Sequence, residues 1–586
     1  FYQQFNLTVS HNGNDSIDIK ERYTADIVYG AAGNFQGDIL RDEYNKLGTR
    51  NGRKCDVAIV DEVDSMLIDG KNHIVMLSSS MPAMDHLEPL LAAIWIQIGE
   101  LAKCIKDING ISYYIDQPDI FNDDGTIKSD LTDHLSPING TKEDFIKTCT
   151  EKYIRKVIRD IDHLEDEKDK KIPEKYPEIK IPKHLRQLVV ESQLTKWIDS
   201  AIYAKYRCKN EQHYIIRDRK IAPVDASNTG IVQANMHWND GLHQFLQIKH
   251  GAKITAENLT TNFLSNVTYF KRYGSNIYGL TGTLGSENAQ KLLSNIYNVD
   301  NVIIPPFRKK QYQELTPIIV NNENDWYQNI VQSSINKLNN GRGVLIITKY
   351  IKEVDEIKDR LIKAGYNQAK IKTYRTEDES KTIEEQMTPG EIIIATNIAG
   401  RGTDIRANKI DINGGLHVLV TFLPPNERVE QQNVGRTSRT GNKGSGQFIL
   451  LQKNEDNYLK LKEIRDREEE IGIHMAEKEI EKVTIKDAIF EEFCKLLTEI
   501  SENITLRNNP EQKIQIRAVE DRFGIWLKLQ KTTTTKEEML NRFKIFQQDI
   551  LSDKEKDHLI QNPYFHVLIG NDYLKSKDRQ NAIREY

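Results

Sequence analysis

The sequence predicts an α/β protein with two parallel-sheet lobes, an insertion in the first lobe and a helical C-terminal region. Short β-branched runs such as ADIVYG and CDVAIVDE alternate with helical patterns and end at glycine or acid, as buried parallel strands do. The same rhythm returns in HYIIRDRKIAPVD, and again in GRGVLIITKY, GEIIIATNIAGRGTDI, GGLHVLVTF and GQFILLQ. From about residue 455 onward the pattern is charged and helical. In such folds, ligands bind at the carboxyl ends of the strands.

Changes of composition divide the chain into six predicted segments. Residues 71–212 interrupt the α/β rhythm with long helical patterns rich in Lys, Asp, Glu and Ile, and with the charged stretch HLEDEKDKKIPEKYPEIKIPKH. Near the end, Gly570, Tyr573, Ala582 and Tyr586 have the spacing of one tetratricopeptide repeat, with chance spacing as the alternative. The predicted segments are 1–70 (first lobe, without its N-terminal part), 71–212 (insertion), 213–310 (return to the first lobe), 311–452 (second lobe), 453–557 (helical region) and 558–586 (partial repeat).

Composition restricts the class of protein. The 586 residues carry a net charge of −5, which argues against a generally basic nucleic-acid binder. The five cysteines include no CxxC pair, and this favours a reduced, cytoplasmic protein. No apolar run reaches the ~20 residues of a membrane span, so any membrane attachment would be peripheral. The apolar stretch PLLAAIWIQIG is predicted to be a core helix. A chain that opens on Phe1 and stops within a helical pattern is expected to be a piece of a longer polypeptide.

A pair of carboxylates follows a predicted buried strand. The apolar residues 57–60 run directly into Asp61 and Glu62. Carboxylates at a strand end are costly to bury without a cation, and this arrangement suits nucleotide hydrolysis. Asp61 can hold Mg²⁺, directly or through water, and Glu62 can orient and deprotonate the attacking water. On this pair alone, a surface turn is the alternative interpretation.

Three downstream motifs make the nucleotide interpretation more specific. YGLTGTLGSE places Thr281 and Thr283 after a strand, where their hydroxyls can couple one site to another. ATNIAGRGTDI carries Arg401 and Asp404 on a glycine-flexible loop, and EQQNVGRTSRTG carries Gln432, Arg436 and Arg439. Arginines three apart share a face when they lie on a helix. The order of these motifs over two α/β units indicates a two-lobed motor with ATP in the cleft, where arginine fingers are worth ~10³–10⁵ in rate.

These motifs together resemble the SecA family of preprotein translocase ATPases. The resemblance rests on RYTADIVYGAAGNFQGDILRD, DEVDSMLID, the stretch from NMHWNDGLHQ to TGTLGSE, IIIATNIAGRGTDI, GGLHVLVTF and QQNVGRTSRTGNKGSGQF. DEVD differs from the DEAD or DEAH of most related helicases. The similarity covers about residues 15–70 and 190–452.

The resemblance implies two RecA-like lobes with ATP and Mg²⁺ bound between them. It implies an unfolded polypeptide and a membrane channel as partners, and it puts the insertion in the position of the preprotein cross-linking domain. The residues carried over are Asp61 (metal ligand and nucleotide contact), Glu62 (general base), Arg401, Gly402, Asp404 and Gln432 (nucleotide contacts), and Arg436 and Arg439 (catalytic arginines).

The sequence departs from the family at four places. It contains no G-x-x-x-x-G-K-[ST] phosphate loop, which we expect upstream of Phe1, and without it β/γ-phosphate binding should fail. The E-A-R-T-P-L-I run is absent after Asp69, which leaves polypeptide binding by the insertion open. The scaffold and wing segments after residue 452 and the zinc-binding tail do not match. A superfamily 2 nucleic-acid helicase and a SecA-like nucleotide switch in a tetratricopeptide interaction protein are the alternative functions.

Overall fold

A computed structural model gives the fold of most of the chain. It describes residues 2–13, 18–70, 74–80, 84–108, 110–115, 135–166, 179–217, 219–224, 237–375, 386–397, 405–439, 441–453, 455, 457–503, 510–530, 535–552, 563–575 and 577–585. Within these residues, no helix combines the length and the apolar character needed to cross a bilayer.

Elements of the first lobe lie on both sides of the insertion. Before it, they are β1 (Val9–His11), α1 (Ile19–Arg22), β2 (Ile27–Tyr29), α2 (Ala32–Glu43), β3 (Ala58–Asp61) and a π-helical turn (Asp64–Asp69). β4 (Ile74–Ser80) follows at the predicted start of the insertion. After it, they are α7 (Leu242–Lys249), β10 (Asn258–Ser265), α8 (Asn266–Lys271), β11 (Ile277–Leu280) and α9 (Glu287–Tyr297).

Strands of the first lobe pair two by two. β1 pairs with β2 and β3 with β11, both in parallel, and β4 pairs with β10 in antiparallel orientation. In the β3–β11 pair, Val60 and Ile277 are buried against α2, α8 and α9. On the opposite face, the side chains of Ile59, Tyr278 and Leu280 are more than half exposed. Among the residues that the structure describes, nothing gives this face the cover that a parallel sheet normally has.

The inserted domain is mainly helical. Its elements are α3 (Glu88–Lys103), β5 (Ile105–Ile108), β6 (Ile111–Ile115), β7 (Leu135–Pro137), α4 (Lys142–Asp166), α5 (Lys183–Leu188), a π-helical segment (Val189–Gln193) and α6 (Leu194–Tyr206). The hairpin of β8 (Tyr214–Arg217) and β9 (Lys220–Pro223), in the predicted return segment, shares the core of this domain through Tyr214 and Ile221. The predicted core helix PLLAAIWIQIG is confirmed as part of α3, whose Leu90, Leu91, Ile94 and Ile98 are fully buried. The core of the insertion continues into α7 through Phe245 and Leu246.

The second lobe has a continuous sheet covered on both faces. Its elements are β12 (Gln311–Glu314), β13 (Ile318–Val320), α10 (Glu323–Leu338), β14 (Gly343–Thr348), α11 (Ile351–Lys363), β15 (Ile371–Tyr374), β16 (Ile392–Thr396), β17 (Leu416–Val420), α12 (Glu427–Val434) and β18 (Lys443–Leu451). The strand order is β12-β18-β17-β14-β16-β15, with every pair parallel and β13 also on β18. All six residues of β14 are buried, with alternate ones in different core clusters. The predicted α/β class is confirmed here.

A helical region follows the second lobe and packs against the first. It consists of α13 (Tyr458–Asn503), α14 (Pro510–Leu529), α15 (Lys536–Leu551), α16 (Pro563–Lys575) and α17 (Arg579–Glu585). The rings of Phe493 in α13 and Phe523 in α14 stack with their centroids 3.7 Å apart. Both belong to the same buried cluster as Val60 and Phe263 of the first lobe. The helical region therefore completes the core of the first lobe.

Candidate functional site

The predicted carboxylate pair lies at the carboxyl end of β3. Asp61 is the last residue of that strand and is exposed, and its Oδ1 accepts a hydrogen bond from the Glu62 backbone N–H at 3.0 Å. Glu62 has a φ of 48°, which is uncommon for a residue with a side chain. Strained backbone of this kind concentrates at functional sites. The Glu62 carbonyl accepts from the N–H groups of Ser65 and Met66, which starts the π-helical turn.

The third carboxylate of the motif, Asp64, connects the two lobes. It is fully buried and accepts hydrogen bonds from Thr281 Oγ1 at 2.9 Å and Thr283 Oγ1 at 3.1 Å, both in the first lobe. Gln432 of α12, in the second lobe, donates from Nε2 to Asp64 Oδ2 at 2.7 Å and contacts Thr283 Oγ1 at 3.1 Å. A buried carboxylate needs such donors, so this cluster ties the strand end to the second lobe. Asp64 had no predicted role, although the hydroxyls of the TGT motif, which were predicted to couple one site to another, were a signal.

A second contact between the lobes was also missed from the sequence. Arg428 of α12 is 3% exposed and donates from Nη2 to Asp69 Oδ1 at 3.0 Å, at the end of the π-helical turn. Its Nη1 donates to Glu469 Oε1 of α13 at 2.6 Å. Gly285 allows this approach, because a Cβ there would lie 2.3 Å from Arg428 Cγ. One guanidinium therefore joins the first lobe, the second lobe and the helical region, as its planar fork of donors permits.

Further ion pairs attach α12 to α13. Glu430 accepts hydrogen bonds from Arg465, and from Lys462 at 2.6 Å. Burial by itself would lower the pKa of the Arg465 guanidinium, but its hydrogen bonds to Glu430 and Asp466 raise it overall. Arg465 is buried, so salt weakens its attraction to Glu430 less than it would weaken an ion pair at the surface. The position of α12 is consequently set by both the first lobe and the long helix.

The structure places the other predicted residues less closely together. Arg436 is buried and Arg439 is exposed. The idea that they share a helix face is wrong, because α12 ends at Val434 with Gly435 as its C-cap, and both arginines lie in the turns that follow. Gln432, predicted to contact nucleotide, directs its Nε2 to Asp64 and Thr283. The predicted contacts Arg401, Gly402 and Asp404 lie outside the described residues.

The residues present fit part of a site for ATP and Mg²⁺. The exposed Asp61 carboxylate is a suitable oxygen ligand for Mg²⁺, which typically takes one or two carboxylates together with substrate phosphates. In the described part of the chain, no group of three His, Cys, Asp or Glu side chains is arranged to hold a metal ion alone. A cavity of about 430 Å³ lies beside the Arg428 junction, but its lining includes Glu427, Glu463 and Asp466, which does not suit phosphates. The sequence contains no G-x-x-x-x-G-K-[ST] phosphate-loop motif, so the part of such a site that the residues present fit is its metal-binding carboxylate.

Comparison with known proteins agrees with this arrangement. A sequence model of the SecA DEAD-like domain matches residues 1–292, and one of the SecA P-loop domain matches residues 309–413. These two domain types imply nucleotide binding.

Several curated relatives carry the name protein translocase subunit SecA. The SecA of Desulfovibrio desulfuricans is 28% identical over 447 residues, which cover 75% of this chain and 44% of that protein. SecA 2 of Bacillus thuringiensis is 28% identical over 475 residues, 80% of this chain and 51% of that protein. SecA 1 of Corynebacterium glutamicum is 25% identical over 477 residues, 74% of this chain and 50% of that protein. The chain thus spans about half the length of the relatives it matches, and it belongs to the SecA family.

Proposed function

We propose that this chain is part of an ATP-driven motor that moves unfolded polypeptide, with ATP and Mg²⁺ held between its two lobes. The observation that carries the proposal is the buried Asp64 cluster, in which Thr281, Thr283 and Gln432 converge on one carboxylate. Asp64 lies three residues after Asp61, at the start of the π-helical turn. A change in the position of Asp61 and Glu62 would therefore be transmitted through Asp64 and Gln432 to α12 of the second lobe.

The proposed roles follow from position and exposure. Asp61 binds the metal, directly or through water, because its carboxylate is exposed at the strand end. Glu62 orients and deprotonates the attacking water. Mg²⁺, when bound, supplies positive charge to the phosphates. Arg436 and Arg439 follow α12 in the chain and would contact the nucleotide or couple its state to motion, together with Arg401, Gly402, Asp404 and Gln432.

The phosphate-binding part of the site is proposed to come from outside residues 1–586. No phosphate-loop motif occurs in the sequence, and the open face of the β3–β11 pair exposes Ile59, Tyr278 and Leu280. A parallel pair in an α/β protein is normally covered on both faces and continued at its edges. A strand that carries the phosphate loop would cover or extend this pair. We therefore expect residues 1–586 by themselves to have little or no ATPase activity.

The partners, the location and the domain boundaries are likewise proposed. Several relatives are named protein translocase subunits, which supports an unfolded polypeptide as substrate and a membrane channel as partner. At such a channel, the protein would associate peripherally with the cytoplasmic face of the membrane. The division into 1–70, 71–212, 213–310, 311–452, 453–557 and 558–586 remains our proposal, with residues 71–212 in the position of the preprotein cross-linking domain.

The proposal is tested on a form of the protein extended by its phosphate-loop segment. We expect ATP hydrolysis that an unfolded polypeptide stimulates and that Glu62→Gln abolishes. Glu468→Gln, an exposed glutamate on α13, is the matched control and should hydrolyse ATP like the parent. Hydrolysis by Glu62→Gln at the parental rate would overturn the role of Glu62. Stimulation by RNA but not by polypeptide would replace the motor with the helicase alternative, and robust turnover by residues 1–586 alone would contradict the missing-loop argument.

One observation favours a second candidate, a nucleotide-dependent switch in an interaction protein. α16 and α17 pack on each other, and their small residues Gly570 and Ala582 are both buried, as in a tetratricopeptide hairpin. The full repeat remains a prediction, since Tyr586 lies outside the described residues. In the same extended protein, nucleotide that changes partner binding by this hairpin, without polypeptide-stimulated hydrolysis, would favour the switch over the motor.

A further inference from the structure

The turn that follows Asp61 and Glu62 has an uncommon hydrogen-bond register. The N–H group at its end, that of Gly70, donates to the Ser65 carbonyl, five residues earlier, at 2.8 Å. In an α-helix it would donate to the Met66 carbonyl, four residues earlier. Turns with the π register are rare and concentrate at functional sites. We therefore expect contacts from outside the turn to stabilise this register.

Asn266, the first residue of α8, supplies such a contact. Its Nδ2 donates to the Met66 carbonyl at 2.6 Å and to the Gly70 carbonyl at 3.2 Å. Both carbonyls lie at the end of the turn, where backbone acceptors have no partner within a helix. In the α register, the Gly70 N–H and the Asn266 amide would compete for the Met66 carbonyl. Asn266, which is 2% exposed, therefore favours the π register over the α register.

A buried carboxylate of the long helix α13 fixes the start of α8. Asp487, which is 3% exposed, accepts hydrogen bonds from the Ser265 N–H at 3.1 Å and from Thr268 Oγ1 at 2.6 Å. The Ser265 hydroxyl donates to the same carboxylate, and its oxygen caps α8 by accepting from the Thr268 N–H at 3.1 Å. These donors satisfy the buried charge. Asn266 lies between Ser265 and Thr268, so its amide is held in place over the turn.

The register determines where the carboxylates of the turn point. Asp64 and Asp69 are its first and last residues, and they accept hydrogen bonds from Gln432 and Arg428 of α12. Successive side chains of an α-helix are rotated by about 100°, and a π-helical turn contains more residues than an α-helical one. A change to the α register would therefore rotate Asp69 relative to Asp64, and both contacts with α12 would not be kept. Because the Glu62 carbonyl starts the turn, the backbone of Glu62 also depends on the register.

We propose that Asn266 is a positioning residue that selects the π-helical register of this turn and thereby holds Glu62, Asp64 and Asp69 in their working positions. The link to ATP hydrolysis rests on the proposed function, whereas the selection of the register does not. A general base acts only within hydrogen-bond reach of its water, and a displacement of about 1 Å costs roughly 10²-fold in rate. Asn266 acts on the reaction through the turn.

Two matched asparagine variants test the register in residues 1–586. Asn266→Leu keeps the approximate size of the side chain and removes its donors, whereas Asn276→Leu changes an exposed asparagine between α8 and β11. By hydrogen–deuterium exchange, we expect about tenfold faster exchange in residues 65–70 and in α12 for Asn266→Leu, with exchange in β14 unchanged. Asn276→Leu should exchange like the parent. Parental protection of residues 65–70 in Asn266→Leu would overturn the proposal.

A milder variant decides the matter if Asn266→Leu unfolds as a whole. Asn266→Ser adds no bulk, and its single hydroxyl hydrogen can be donated to only one of the two carbonyls. We expect exchange in residues 65–70 and in α12 to be a fewfold faster than in the parent. Parental protection there, or an equal increase in β14, would refute the selection of the register by Asn266.

Hydrolysis by the protein extended with its phosphate-loop segment separates positioning from a purely structural role. For Asn266→Leu we expect a kcat roughly 10²-fold lower and a KM for ATP within about twofold of the parent, because the base is displaced and the nucleotide contacts are not. Asn276→Leu should retain both values. Faster exchange with a parental kcat would refute the link to hydrolysis. If the extended parent does not hydrolyse ATP, the proposed function and this link fail together, and the exchange measurements still decide the register.

Discussion

Replacing Gln432 with glutamate should detach α12 from the first lobe. The parental amide, which is buried, donates to Oδ2 of the fully buried Asp64 at 2.7 Å. Glutamate has nearly the same shape but presents a second carboxylate at that distance, so a donor is replaced by a like charge. Two carboxylates that share one site cannot both ionise readily.

The magnitude follows from the type of bond that is lost. A hydrogen bond to a charged group contributes roughly 1.5–3 kcal/mol, and a loss of about 2 kcal/mol corresponds to about 30-fold in an equilibrium constant. Amide exchange in α12 should therefore be about 30-fold faster at pH 8, with exchange in β14 unchanged.

Two further variants make this test specific. Gln431→Glu changes the neighbouring exposed residue, whose amide donates only to Glu427 at 2.8 Å along the same helix, and it should exchange like the parent within a fewfold. The swap of Asp64→Asn with Gln432→Glu restores a donor opposite a carboxylate and should recover most of the protection. The reasoning is refuted if Gln432→Glu behaves like Gln431→Glu, or if the swap is as unprotected as the single variant.

Three other changes probe separate parts of the molecule. Arg428→Met leaves Asp69 and Glu469 without their shared cation and should lower the free energy of unfolding in urea by about 3–5 kcal/mol. The exposed control Arg467→Met should change it by less than ~0.5 kcal/mol, and similar values for both variants would contradict a stabilising role of the Arg428 contacts. Phe523→Ala, at the centre of the aromatic cluster, should cost about 3–5 kcal/mol in thermal denaturation, and a loss below ~1 would show that the stacked ring contributes little. Burial lowers the pKa of His417 to about 3, so the unfolded chain takes up a proton at a higher pH than the folded protein does. The contribution of the neutral His417 to the free energy of unfolding is therefore present above pH ~6.5 and decreases by about 2 kcal/mol as the pH falls to 5. In urea unfolding, His417→Gln should lack that decrease and exposed His474→Gln should retain it; parallel pH profiles would exclude His417 as the cause.

Local patterns in the sequence predicted much of the fold. The β-branched runs around residues 55–62 and 341–350 became β3 and β14, because strand periodicity depends on neighbouring residues. The position of Asp61 and Glu62 at a strand end followed from the same pattern. Arg436 and Arg439 would share a face only on a helix, and α12 ends at Val434, before either of them.

The contacts between distant segments could not be predicted in this way. Asp64 and Gln432 are 368 positions apart, and Arg428 and Asp69 are 359 apart. Neither pair has a spacing that sequence periodicity can reveal, and each side chain also has a plausible surface role. Their pairing depends on how two separately folded lobes pack, and this is decided by shape and burial over the whole interface.

The sequence by itself determined the α/β class, the carboxylates at the end of β3 and the membership of the SecA family, since each is written in short motifs. Only the tertiary structure decided that Asp64 and Asp69 are the carboxylates that bind α12 of the second lobe. The physical reason is that a buried charge must find its partner in space. Which residue meets it there depends on packing between segments that are hundreds of residues apart.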